Sequence, residues 1–141
     1  VNKGEKPLTY RSALHSYLNI GSPEAVQLSG LNKRFCNLLN YKNLETGDTT
    51  LLIDQAIDSI YESSNNTIKL KDSKLQRTLT MTNNGNDSEV VWTPWVAGAA
   101  AFTDMPDDGY QTMLCIESTI THENGQQVGS GEKHSLSTLI K

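Results

Sequence analysis

The amino-acid sequence predicts an all-β protein built as an antiparallel β-sandwich. Three observations carry that reading. Apolar and polar residues alternate with period two in run after run. Turn signals separate the runs at short intervals, as in a sandwich. No long amphipathic helix and no internal repeat interrupts the pattern. The 141 residues suit one domain, and 36% hydrophobic with 20% charged residues is the balance of a globular chain.

The elements follow in order. Leu8 to Asn19 alternates, with Leu8, Tyr10, Ser12, Leu14 and Leu18 on one face. Thr9, Arg11, Ala13, His15 and Tyr17 take the other. Gly21-Ser22-Pro23-Glu24 reads as a turn, Val26 to Ser29 as a short strand ended by Gly30. Phe35 to Leu39 is an apolar patch of undecided type, and Thr46-Gly47-Asp48 a loop. Ile57 to Tyr61 reads as a strand, Ser63-Ser64-Asn65-Asn66 as a turn, and Thr67 to Lys71 as a cleanly alternating strand. Leu75 to Thr82 alternates again. Asn83-Asn84-Gly85-Asn86 is the strongest turn signal, because Asn-Gly tolerates positive φ. Val90-Val91-Trp92 is a strand stopped by Pro94, which has no N–H for a ladder. Pro106 to Gly109 is a loop, Tyr110 to Thr119 a strand, Gly129 to Glu132 a turn, and His134 to Ile140 a last strand.

Charge excludes some functions. The formal net charge is -4 and the cations are scattered, which argues against nucleic acid and against anionic membrane surfaces. No apolar stretch is long enough to span a bilayer. Two cysteines, Cys36 and Cys115, are too few and too far apart for a secreted disulfide framework. They read as small buried hydrophobes in a reducing compartment, so a cytoplasmic location is expected. The chain starts Val1-Asn2-Lys3 without an initiator Met, which suggests a piece of a longer protein.

Two ionisable residues interrupt strand-like runs: His15 in Ala13-Leu14-His15-Ser16-Tyr17-Leu18 and Glu117 in Met113-Leu114-Cys115-Ile116-Glu117-Ser118. A facing His/Glu pair can act as general acid and general base. The alternative for His15 is a structural histidine hydrogen-bonded within a half-buried sheet. A carboxylate flanked by Cys115 and Ile116 needs a partner or a raised pKa. Asp58, within Ile57-Asp58-Ser59-Ile60, is either a ligand or a solvent-face aspartate. Trp92-Thr93-Pro94-Trp95 could stack on a sugar or simply pack in the core. His122 and His134 lack metal-ligand spacing, no other Cys/His grouping has it, and no glycine-rich phosphate loop is present. Asp104, Asp107 and Asp108 lack calcium-loop spacing and read as a solvated turn. No metal or other cofactor is therefore expected.

Five segments occur in order: Leu14-His15-Ser16-Tyr17-Leu18; Asp58-Ser59-Ile60-Tyr61; Val91-Trp92-Thr93-Pro94-Trp95; Asp107 through Glu117; and Gly131-Glu132-Lys133. In these the chain resembles the C-terminal half of the hexose-6-phosphate mutarotases (glucose-6-phosphate 1-epimerases), within the aldose 1-epimerase superfamily. The resemblance spans almost the whole chain. It implies the galactose mutarotase-like sandwich, with residues 1–141 forming the C-terminal part of one such domain. It implies His15 as general acid, Glu117 as general base and Asp58 as a sugar ligand. Acid and base should point into one hollow, a sugar's width apart. The sequence departs from the family at Thr93, where Asn is usual, and at Ser59, where Arg often follows the aspartate. The family's phosphate-holding arginines lie in its N-terminal half, and none of Arg11, Arg34 or Arg77 matches them.

The implied partner is a small sugar or sugar phosphate. An aldose 1-epimerase acting on free sugar and a non-catalytic carbohydrate-binding sandwich are the competing readings. Retention of both acid and base argues against the last, since binding alone needs no matched pair. Half a sandwich also leaves strand edges open, so association with an absent N-terminal half, or with other copies, is expected.

Overall fold

The structure, a computed structural model, describes residues 1–40, 43–64 and 67–141. The strands are β1 (Leu8–Tyr10), β2 (Ser12–Leu14), β3 (Tyr17–Asn19), β4 (Val26–Ser29), β5 (Arg34–Asn37), β6 (Asn43–Thr46) and β7 (Thr50–Leu52). They continue with β8 (Ile57–Glu62), β9 (Ile68–Asp72), β10 (Arg77–Asn84) and β11 (Ser88–Thr93). A short helix, α1 (Trp95–Ala101), precedes β12 (Met113–Ile120), β13 (Gln126–Val128) and β14 (Ser137–Ile140).

Every pairing among the described residues is antiparallel. One sheet runs β14-β10-β9-β4-β7; a larger one runs β2-β12-β11-β8-β5-β6, with β3 also on β12. Their inner faces share one core. Val26, Leu28, Ile68, Leu70 and Met81 enter it from the first sheet, and Ile57, Tyr61, Val91, Leu114 and Ile116 from the second. The all-β sandwich is therefore the fold.

The turn that the sequence predicts at Gly85 (φ 77°) does not close a hairpin. It carries the chain from β10 in one sheet to β11 in the other. The run Leu8–Asn19 is three strands rather than one. Leu8–Tyr10 pairs with β13, whereas Ser12–Leu14 and Tyr17–Asn19 both pair with β12. Ser118↔Leu14 and Cys115↔Tyr17 belong to one continuous register, so His15 and Ser16 interrupt the ladder without shifting it.

Other boundaries also move. The predicted strand from Tyr110 begins at Met113, after a 3-10 turn over Gly109–Thr112. The predicted strand from Leu75 begins at Arg77, because the Asp72 carboxylate accepts the N–H groups of Lys74 and Leu75 and closes a turn there. Only Ser137–Ile140 of the last predicted strand is paired. The Phe35–Leu39 patch is largely the strand β5. The predicted turn at 63–66 lies partly outside the described residues. No helix among the described residues is long and apolar enough to cross a membrane.

Candidate active site

The site lies on the face of the larger sheet that points away from the core. Along β12, Leu114 and Ile116 enter the core, so Cys115 and Glu117 point the other way. Register then fixes their neighbours. Cys115 stands opposite Tyr17 on one side and Trp92 on the other, and Trp92 stands opposite Asp58. Tyr17, Cys115, Trp92 and Asp58 thus form one row across four strands.

His15 is set by the break between β2 and β3. The Ser16 N–H donates to the Leu14 carbonyl at 2.9 Å, a γ-turn centred on His15. The continuous register puts His15 opposite Glu117, and Nε2 lies 3.2 Å from Oε1. The His15 side chain is 46% exposed and that of Glu117 only 6%. The imidazole therefore covers the carboxylate and faces solvent itself. Directly opposed residues of an antiparallel pair are close enough for side chains to touch, which is why the gap is a contact and not a sugar's width. The pair does not stand a sugar's width apart, as its family likeness leads one to expect, but in direct contact.

Aromatic rings fix the imidazole. It stacks on Tyr17 (centroids 4.7 Å, 21° between planes) and meets Trp92 edge-on at 6.1 Å. Beside it lies a cavity of about 300 Å³ lined by Tyr17, Trp92, Phe102, Asp104 and Met105. Phe102 packs edge-on against Trp92 at 6.0 Å. The two tryptophans thus divide the roles considered for them. Trp92 lines this cavity, while Trp95 packs against the core and Tyr110.

Burial pushes the Glu117 carboxyl above its ordinary range; the His15 imidazole pulls it back and the Asp58 charge pushes it up again. Burial also raises Asp58. The Cys115 thiol is pushed up to about 12 by burial and then by the Glu117 charge. Burial raises the Tyr17 hydroxyl too, helped by the charges of Cys115, Glu117 and Asp104 around it. A half-exposed imidazole against a carboxyl whose pKa is raised by burial can exchange protons with two oxygens of one small molecule.

All three residues singled out from the sequence fall on this one sheet face. His15 and Glu117 touch, and the Asp58 charge is close enough to act on Glu117. Sequence reasoning put Cys115 on the Glu117 face of its strand without giving it a role, read Asp104 as part of a solvated turn, and missed Phe102 and Met105. Asp104 belongs to the cavity and not merely to a solvated turn. The sequence spacing shows no metal-type grouping, yet donor atoms of His15, Cys115 and Glu117 lie within 4.8 Å of one another. Cross-strand register makes that grouping, and spacing along the chain cannot reveal it.

An antiparallel sandwich with these features on its outer sheet face has the galactose mutarotase-like fold. The aldose 1-epimerase family model matches residues 1–141, and the chain belongs to that family. It is 33% identical over 125 residues to a Salmonella typhimurium protein named "Putative glucose-6-phosphate 1-epimerase", covering 88% of this chain and 42% of that one. It is 32% identical over 132 residues to an Escherichia coli K12 protein of the same name, covering 92% and 44%. The crystal structure of a "putative mutarotase" from Salmonella typhimurium superposes with a TM-score of 0.90 at 29% identity, over 96% of this chain and 46% of that one. The chain thus spans less than half the length of these relatives and corresponds to their C-terminal part.

Proposed function

We propose that the protein interconverts the anomers of a hexose 6-phosphate by opening and reclosing the sugar ring. The observation that carries this reading is the 3.2 Å contact between His15 Nε2 and Glu117 Oε1 beside an aromatic hollow. The reacting oxygens, O1 and O5, are both bonded to C1. One acid and one base lying side by side therefore suit them.

Glu117 takes the proton of the C1 hydroxyl. His15, protonated, gives its proton to O5. The C1–O5 bond breaks and leaves the open aldehyde. Rotation about C1–C2 presents the other carbonyl face, and reclosure with the two roles exchanged gives the other anomer. Each proton transfer contributes on the order of 10²–10⁴-fold. The raised Glu117 pKa suits a group that must also return the proton. Trp92 and Phe102 offer flat apolar faces for the C–H side of the ring, and Asp58 and Asp104 offer acceptors for its hydroxyls.

The phosphorylated substrate is supported by the names of the relatives. A second reading is a free aldose, since the family's phosphate-holding arginines belong to the half of the relatives that this chain does not span. Exchange NMR separates the two. In the protein that carries this chain, anomer exchange of glucose 6-phosphate should be accelerated more than that of glucose or galactose; the reverse order favours the free sugar. His15→Ala and Glu117→Gln should each remove nearly all of the acceleration, and near-normal rates in either variant end the assignment.

A further inference from the structure

We infer that His15, Cys115 and Glu117 form a binding site for a zinc-class divalent cation, and that the cation silences the proton-transfer pair while it is bound. One imidazole nitrogen, one thiol sulfur and one carboxylate oxygen lie within 4.8 Å of each other. That mixed set of N, S and O donors is the one zinc prefers. Two N and O ligands on zinc bonds of about 2.0–2.1 Å, at the tetrahedral angle, stand roughly 3.3 Å apart. The Nε2 to Oε1 distance is 3.2 Å. The donors sit on a rigid frame. Cys115 and Glu117 are alternate residues of one strand, and His15 faces them from the γ-turn between β2 and β3, whose shared register holds it in place.

Three protein ligands leave the fourth position for water. His15 is the exposed member, so the cation enters from its side, while Cys115 is fully buried beneath. Coordination takes the lone pair of Nε2, a carboxylate oxygen and the thiolate. The Cys115 proton therefore leaves to solvent as the Zn–S bond forms. Magnesium and calcium, which want oxygen ligands alone, should bind poorly. Zinc would hold both the nitrogen and the oxygen assigned to proton transfer. Its inhibitory effect rests on the function proposed above, whereas the binding does not.

Cobalt(II) reports the same site through the near-ultraviolet band of a thiolate–metal bond. The protein should take up one Co²⁺ with that band, release protons, and lose the band on adding Zn²⁺. Cys115→Ala should abolish the band and weaken Zn²⁺ binding by more than ~10-fold. Zinc at the concentration that silences the wild type should leave the variant's own rate of anomer exchange unchanged. Cys115→Ser serves if the alanine variant melts early, and Cys36→Ala should keep the band. No thiolate band in the wild type, or equal zinc affinity in both Cys115 variants and the wild type, overturns the site. A band lost in Cys115→Ala, with anomer exchange unaffected by saturating zinc, overturns the inhibition. It also overturns the roles given to His15 and Glu117, but leaves the site standing.

Discussion

At the scale of single residues, the site is a matter of which side of a pleat each side chain takes. Alternation along β12 sends Glu117 away from Leu114 and Ile116, and the sequence showed that parity. It also showed two ionisable groups in apolar runs. It could not show that Tyr17 and Cys115 share a row with Trp92, since register between distant strands is not written in either strand alone. The sign of the Glu117 shift leads to a prediction. Burial and the Asp58 charge both raise its pKa, so the acid limb of the pH–rate profile should lie above the ordinary carboxylate range. Asp58→Asn removes one of the raising charges. It should move that limb to lower pH and shift the Glu117 carboxyl carbon titration, followed by NMR, the same way. A limb that stays put or moves up denies Glu117 the role of base.

At the scale of elements, the inward strands were readable and the edges were not. β8, β9 and β4 alternate because one face meets the core, and their bounds emerged nearly as the sequence suggests. β6, β7 and β13 bury little, so no period marked them. The helix α1 is seven residues of mostly Ala and Val after Pro94, too short to show a period. The crossover at Gly85 was visible as a turn, and its need for glycine is testable. A Cβ there would lie 2.0 Å from the Ser135 carbonyl oxygen, at φ 77°. Gly85→Ala should cost at least ~1–2 kcal/mol from the left-handed backbone alone, read by urea unfolding. A loss within error would mean the turn is free to relax.

The same crossover is tied to a buried acid. Glu89 on β11 is 1% exposed and accepts a hydrogen bond from Asn86 at 2.7 Å. Burial raises its pKa, against hydrogen bonds from Asn86, Asn83, Ser63 and the Ser64 backbone that lower it. A carboxyl whose folded pKa is raised favours the fold below its unfolded pKa, and that contribution is lost as pH rises through the folded value. Asp87 has the opposite sign. Burial raises it, but hydrogen bonds from Ser88, Thr121 and His122 outweigh that and lower its pKa, so its contribution is lost as pH falls. Glu89→Gln should therefore flatten the decline in stability as pH rises from the ordinary carboxylate range towards neutrality. Melting temperatures of variant and wild type, compared across that range, should converge at the acid end. Divergence towards acid would show that the hydrogen bonds, and not burial, dominate at Glu89.

At the scale of the whole molecule, three of the exposed apolar residues share one setting. Leu44 (63% exposed), Leu52 (60%) and Leu139 (54%) sit on β6, β7 and β14, the open edges of the two sheets. An edge with unpaired N–H and C=O groups and apolar side chains pairs readily with another strand. The chain corresponds to less than half of its relatives' length, so two kinds of strand can meet these edges: more of the same polypeptide, or another copy. For residues 1–141 alone only the second is available. Sedimentation should then show concentration-dependent association. Leu44→Lys with Leu52→Lys should shift it to monomer while leaving the melting temperature of the dilute protein nearly unchanged, because neither side chain is in the core. A stable monomer at every concentration would mean that twist and the short length of these strands already protect the edges. Further strands at these edges would then be unnecessary for solubility, and any contribution from them would have to be sought in the hollow beside Trp92.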